Sequence, residues 1–198
     1  LTEAAADLKK GNGLVVCGSN DKNIQVVVNA INSAIGANGT TINWAVESNY
    51  KQGIDSEMVN LVADMNADKV GALLMHGVNP VYDYCEADKF VAGLAKVGLS
   101  VSFADRMDET AQKVTVVTPD NNWLESWGDA EPKSGFYSFM QPSIAPLFKT
   151  RQFQDSLLIW AGDSTSYGTM WESYWKNKLG GTTAFDQTLQ AGVYEPSA

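Results

Sequence analysis

Along the first 120 positions, short β-branched apolar runs alternate with stripes at helical spacing. Leu14-Val15-Val16-Cys17 precedes Gly18-Ser19-Asn20-Asp21, the pattern of a buried parallel strand ending in a tight, helix-capping turn. Ile24, Val27, Val28, Ile31 and Ile35 then recur on one helix face, and Gly36 with Asn38-Gly39 stops them. Residues 41–45 are the second predicted strand. Asp55 or Ser56 caps a helix with Met58, Leu61, Val62 and Met65 inward, and residues 70–75 form a near-continuous apolar strand ending at His76-Gly77. Glu86 and Asp88 open a helix carrying Phe90, Val91, Leu94 and Val97, with acids early and Lys96 late, as the helix dipole favours. Residues 99–103 and 114–118 are the fourth and fifth strands.

Strands alternating with amphipathic helices predict βαβ units with right-handed crossovers. The expected architecture is a doubly wound α/β domain over residues 1–198, with a mainly parallel five-stranded Rossmann-like sheet and a C-terminal helical extension. Residues 119–150 break the rhythm. They hold Pro119, Pro132, Pro142 and Pro146 together with Trp123, Trp127, Phe136, Tyr137, Phe139 and Phe148. So aromatic a stretch predicts a long ordered loop, and loops of that length are usually functional or packed on a partner. Helices follow at about 153–160 and 167–178. The second carries Tyr167, Met170, Trp171, Tyr174 and Trp175 on one face, the signature of a core stripe, with an exposed docking face as the alternative.

Composition narrows the function. The chain has 198 residues, 44% of them hydrophobic, with a formal charge of −9. That balance excludes nucleic acid as a partner, because phosphate binding needs clustered Lys and Arg and the longest basic run is Lys9-Lys10. No apolar run reaches the length of a membrane span, so direct membrane insertion is not expected. Leu1 at the start and Glu195-Pro196-Ser197-Ala198 at the end suggest an excised piece ending in a linker stub. Cys17 and Cys85 are too few to hold an iron–sulfur cluster and are expected to be buried as small apolar side chains, with a single disulfide between them as the alternative.

In a parallel sheet, ligands bind beyond the carboxyl ends of the strands. Gly18-Ser19-Asn20 offers backbone N–H groups to a phosphate, but it lacks the dinucleotide fingerprint and Asp21 suits a plain helix cap. His76, the single histidine, has neither nucleophile nor further metal ligands beside it in sequence. Asn79-Pro80 reads as a fixed turn. Asp105, Asp108 and Glu109 near Arg106, and Asp120, Glu125, Asp129 and Glu131 beyond, do not match a calcium-loop spacing and read as solvated, capping or Arg-paired acids. No catalytic residue and no metal site is assigned.

Several segments resemble the third domain of molybdopterin oxidoreductases. They are Val15-Val16-Cys17-Gly18-Ser19-Asn20-Asp21 with Asn23-Ile24-Gln25, then Gly77-Val78-Asn79-Pro80, Asp108-Glu109-Thr110-Ala111 leading to Pro119, and Gln141-Pro142-Ser143-Ile144-Ala145-Pro146-Leu147. Leu124-Glu125-Ser126-Trp127-Gly128-Asp129 and Phe148-Lys149-Thr150-Arg151-Gln152 resemble the large iron–sulfur subunits of alternative complex III, the bacterial quinol:cytochrome c oxidoreductases, of the Bacteroidetes type. The resemblance implies that Gly18, Ser19, Asn20, His76, Gly77, Asn79, Asp105, Glu109 and Thr110 are vestigial pterin-facing positions. It also implies no cofactor in this piece, iron–sulfur clusters elsewhere in the parent chain, and a periplasmic location reached through membrane-associated sister subunits. Asn122 stands where that branch often carries histidine.

The leading expectation is therefore a non-catalytic scaffold and docking domain of an electron-transfer subunit. It would bind the adjacent iron–sulfur region and sister subunits, with Trp123, Trp127 and Phe139 against a partner or neighbouring domain. The alternatives are a cofactor-binding domain of an active molybdopterin oxidoreductase and a free-standing small-ligand-binding α/β protein.

Overall fold

The computed structural model describes residues 1–196, so Ser197 and Ala198 of the expected linker stub lie outside the described residues. In chain order the elements are α1 (Thr2–Leu8), α2 (Lys22–Ala34), α3 (Asp55–Asn66), β1 (Ala72–Met75), α4 (Pro80–Asp83), α5 (Ala87–Leu94), β2 (Leu99–Ser102) and β3 (Val116–Val117). A 3-10 turn at Trp123–Glu125 leads to β4 (Gly128–Lys133), β5 (Phe136–Met140), α6 (Phe153–Trp160), α7 (Tyr167–Leu179), α8 (Thr182–Ala191) and β6 (Val193–Tyr194). The chain divides into two compact units: Leu1–Lys51 with Glu131–Phe136, and Gln52–Ala130 with Tyr137–Ala198.

The fold is mixed α/β, but the expected five-stranded sheet is corrected to a three-stranded parallel one, in the order β1-β2-β3. Ala72 pairs with Leu99 and Val101 with Val116 in its register. The two missing strands are spent on local hydrogen bonds. At 14–17 the buried Asn32 side chain takes the place of a neighbouring strand. Its Oδ1 accepts Val15 N–H at 2.9 Å and its Nδ2 donates to Val15 C=O at 2.8 Å. Gln25 Nε2 adds a bond to Cys17 C=O at 3.0 Å. Cys17 is exposed, as is Cys85, contrary to the burial expected of both. At 41–45 the chain closes a turn, with Ala37 C=O accepting N–H from Thr40, Thr41 and Ile42. The hydroxyls add to this, Thr40 Oγ1 donating to Gly36 C=O at 2.7 Å and Thr41 Oγ1 to Gly13 C=O at 3.0 Å, a side-chain competition for backbone groups that disfavours a strand.

In the second unit, Val62, Met65, Met75, Phe90, Leu94 and Val97 form a core cluster that packs α3 and α5 on the parallel sheet. The helices approach closely at Gly93, where a Cβ would lie 2.9 Å from that of Met65. A separate aromatic cluster centres on Trp171, Trp175 and Phe185, with Trp127, Tyr137, Phe139 and Tyr194 packed against it. The aromatic stripe of α7 is therefore chiefly core. Trp127 and Phe139, expected on a partner, pack onto it with ring centroids 5.3 and 5.1 Å from that of Trp171. Their contact to anything outside this chain is not needed to explain them. Trp123 stays 64% exposed.

The expected long loop contains a hairpin, β4 and β5, in a sheet of order β4-β5-β6 in which Tyr137 pairs antiparallel with Tyr194. The hairpin turns at Ser134-Gly135, where Gly135 adopts φ +80°. In the first unit, the hairpin tip is fixed by Asn49 N–H donating to Pro132 C=O at 2.9 Å and by a bridge from Ser48 to Lys133. The strand Gly-Asp-Ala-Glu-Pro-Lys has no apolar alternation, so the sequence carried no sign of it.

Candidate functional site

The carboxyl ends of the parallel strands open, within the second unit, on a cleft of about 420 Å³. It is lined by His76, Gly77, Val78, Asn79, Asp83, Phe103, Ala104, Asp105, Asp108, Asp120, Asn121, Asn122 and Trp123. Three strand ends supply it, as the parallel topology requires.

β1 delivers His76, whose Nε2 lies 2.7 Å from Asp120 Oδ2 beyond β3. Asp120 is itself held: its Oδ1 accepts the N–H of Asn121 at 2.8 Å and of Phe153 at 2.7 Å. The Phe153 ring stacks on the imidazole at 4.1 Å between centroids, and Phe103 meets it edge-on at 6.4 Å. The histidine is thus clamped between an aromatic face and a carboxylate. Gly77, with φ +66°, turns the chain away in a conformation that disfavours a side chain.

Asn79, Glu109 and Thr110 form a second network under the cleft. Thr110 Oγ1 donates to Asn79 Oδ1 at 2.6 Å and accepts Val81 N–H at 3.0 Å, while Thr110 N–H also reaches Asn79 Oδ1 at 3.2 Å. Asn79 Nδ2 donates to Glu109 Oε2 at 2.8 Å, and that bond holds the Glu109 carboxyl below its ordinary pKa. Asp105 binds the Arg106 guanidinium through both oxygens, at 2.9 and 3.0 Å, and this pairing lowers its pKa. Asp108 Oδ1 accepts Ala111 N–H at 2.7 Å.

Of the residues singled out from sequence, the cleft gathers His76, Gly77, Asn79 and Asp105, with Glu109 and Thr110 bonded to Asn79 from the neighbouring loop. Gly18, Ser19 and Asn20 belong to the first unit. There Asp21 Oδ1 accepts the N–H of Asn23 at 2.7 Å and of Ile24 at 3.2 Å, the geometry of an ordinary N-cap on α2. Asp120, Asn121, Asn122 and Trp123 form a strand-end loop in the sequence but stand outside the positions that the resemblance makes cofactor-facing. Phe153 was missed entirely, because it comes from a helix more than 30 positions beyond Asp120 and carries no motif.

His76 and Asp120 bond to each other across the cleft, while Asn79, Asp105, Asp108, Asn121 and Asn122 are held by neighbours outside its lining. Among the described residues no group of three His, Cys, Asp or Glu side chains is placed to hold a metal ion. No helix among them is long and apolar enough to cross a membrane.

No family model matches the sequence. Over 105 residues it is 34% identical to the menaquinone reductase, molybdopterin-binding-like subunit, of Nitratidesulfovibrio vulgaris, a match covering 51% of this chain and 15% of that protein. This chain is therefore comparable with only a small part of that subunit.

Proposed function

We propose that this chain is a non-catalytic scaffold and docking domain of an electron-transfer subunit, in a complex that exchanges electrons with quinones. The observation that carries the reading is the similarity to a molybdopterin-binding-like subunit of a menaquinone reductase, over half the chain. The finer setting we favour is a quinol:cytochrome c complex of the alternative complex III kind, at the periplasmic face of the membrane. Iron–sulfur clusters would sit elsewhere in the parent chain, and sister subunits would be the partners.

The cleft chemistry supports a docking role over cofactor binding. A pterin dinucleotide carries a diphosphate, which calls for cations or free N–H groups. The cleft instead presents Asp83, Asp105, Asp108 and Asp120, and no Lys or Arg lines it among the described residues. At the start of α2, Asp21 already occupies two of the N–H groups a phosphate would use. The residues of the cleft do not fit the group.

The experiment is purification of the tagged full-length protein from its host. Stoichiometric recovery of redox subunits, with quinone-dependent electron transfer, is the expected result. Molybdenum or a pterin nucleotide bound in equimolar amount would overturn the non-catalytic reading in favour of an active molybdopterin enzyme.

A further inference from the structure

A second cavity, of about 320 Å³, shares Asp105, Asp120 and Asn122 with the strand-end cleft and is walled by Ile144, Leu147 and Phe148. Leu147 is 72% and Phe148 78% exposed, and Trp123 stands at the neighbouring cleft. These side chains sit on an ordered loop. Ser143 and Ile144 N–H both donate to Leu124 C=O, at 2.7 and 3.2 Å, and Leu147 N–H donates to the buried Glu125 at 3.0 Å. The backbone is thus fixed in a way that holds large apolar groups out in water. Such a patch rimmed by polar residues marks an interaction site.

Charge identifies what fits. Carboxylates line both cavities, and no Lys or Arg does so among the described residues. Arg106 compensates Asp105, and His76 pairs with Asp120, which leaves Asp83 and Asp108 without a cationic partner among the cavity walls. Lys149 and Arg151 follow Phe148 in sequence but line neither cavity. A nucleic acid or an anionic lipid surface would be repelled. An interface of this kind is complementary to a cationic group beside apolar ones.

We propose that the two adjoining cavities, with Trp123, Leu147 and Phe148 at the rim and Asp83 and Asp108 within, dock a protein segment that carries Arg or Lys between aliphatic or aromatic side chains. This rests on the docking reading above and names the partner's chemistry.

The test uses the full chain and two synthetic peptides of equal length, one alternating arginine with leucine and the other glutamate with leucine. Affinity is read by titration calorimetry. The arginine peptide is expected to bind about tenfold more tightly than the glutamate peptide, and more weakly as salt rises to about 0.5 M. Leu147→Ser with Phe148→Ser, and separately Asp83→Asn with Asp108→Asn, should each weaken it about tenfold. Glu57→Gln with Asp88→Asn, on exposed positions of α3 and α5 that line neither cavity, should leave it unchanged. Should the serine pair lose its helical circular dichroism, Leu147→Gln alone reads the same surface.

Equal binding of both peptides overturns the proposal. So does an equal loss in the α3/α5 control, which would mean diffuse charge attraction, or an equal affinity for spermidine alone, which would mean a small-cation pocket. Selective peptide binding by a chain that co-purifies with no redox subunit would sink the electron-transfer setting and leave this surface standing. Co-purification without peptide selectivity would do the reverse.

Discussion

Thr110 ties the loop after β2 to the turn after β1, and its removal tests whether the cleft is built on hydrogen bonds or on packing. The side chain is fully buried, at 0% exposure. Thr110→Val keeps the shape and removes the hydroxyl. Two bonds go: the 2.6 Å donation to Asn79 Oδ1 and the 3.0 Å acceptance from Val81 N–H. Asn79 Oδ1 keeps the Thr110 N–H, so its own loss is modest. A net hydrogen bond is worth about 1 kcal/mol, and leaving the part-buried Val81 N–H without an acceptor costs about 1–2 more, so the expected destabilisation is about 2–3 kcal/mol. Thr110→Ser keeps both bonds and removes one methyl, at about 1 kcal/mol. Urea unfolding followed by tryptophan fluorescence, with hydrogen exchange at the Val81 amide, separates the two. Valine should cost more than serine, and Val81 should exchange faster in the valine variant only. A serine variant as unstable as the valine one, or unchanged exchange at Val81, would show that packing rather than the hydroxyl holds the turn.

Gly93→Ala would gain up to about 1 kcal/mol of helix propensity, yet its Cβ would lie 2.9 Å from Met65 Cβ and 2.8 Å from Asn66 Nδ2. Because Met65 Cβ is fixed to the α3 backbone, overpacking of about 1–3 kcal/mol should win; a variant more stable than the parent in thermal melts would contradict that. Asp129→Leu strands the indole N–H groups of Trp171 and Trp175, which donate to one carboxylate oxygen at 2.6 and 2.7 Å. A loss of about 2–4 kcal/mol is expected, and unmoved indole N–H resonances would refute the pairing. Asn32→Leu should release the 14–17 segment, seen as faster Val15 amide exchange at a cost of about 1–3 kcal/mol. Glu109, held below its ordinary pKa by Asn79, stabilises the fold above its unfolded-state pKa and stops doing so as pH falls through the lower folded-state value. The stability gap between the parent and Asn79→Ala should therefore narrow on acidification, and a gap that widens would reverse the sign of the argument.

The α/β class was legible because periodicity reports which face a segment buries. The helices at Met58–Met65 and Phe90–Leu94 and the strands around Leu74 and Val101 are where their patterns placed them. The cap at Asp21 and the stop at Gly36, with φ +71°, were also visible, since both are local backbone chemistry. Leu14-Val15-Val16-Cys17 shows the limit. Its pattern says strand, yet a strand needs a neighbour, and here Asn32 satisfies Val15 from within α2. Likewise β4 has no periodic signal and forms because β5 lies beside it in the sheet.

By itself, then, the sequence determined the local structure: helix faces, caps, the order of the three parallel strands' apolar runs, and an acidic surface unsuited to nucleic acid. Tertiary structure alone decided the rest. It chose which predicted strands found partners, placed Phe153 on His76, and turned Asn79 and Thr110 into a tie between two strand ends. It also sent Trp127 and Phe139 inward onto Trp171 while leaving Trp123 in solvent. The reason is physical: a helix satisfies its own backbone and shows its face in sequence, whereas strand pairing, ring stacking and the exposure of one aromatic over another depend on residues far apart in the chain.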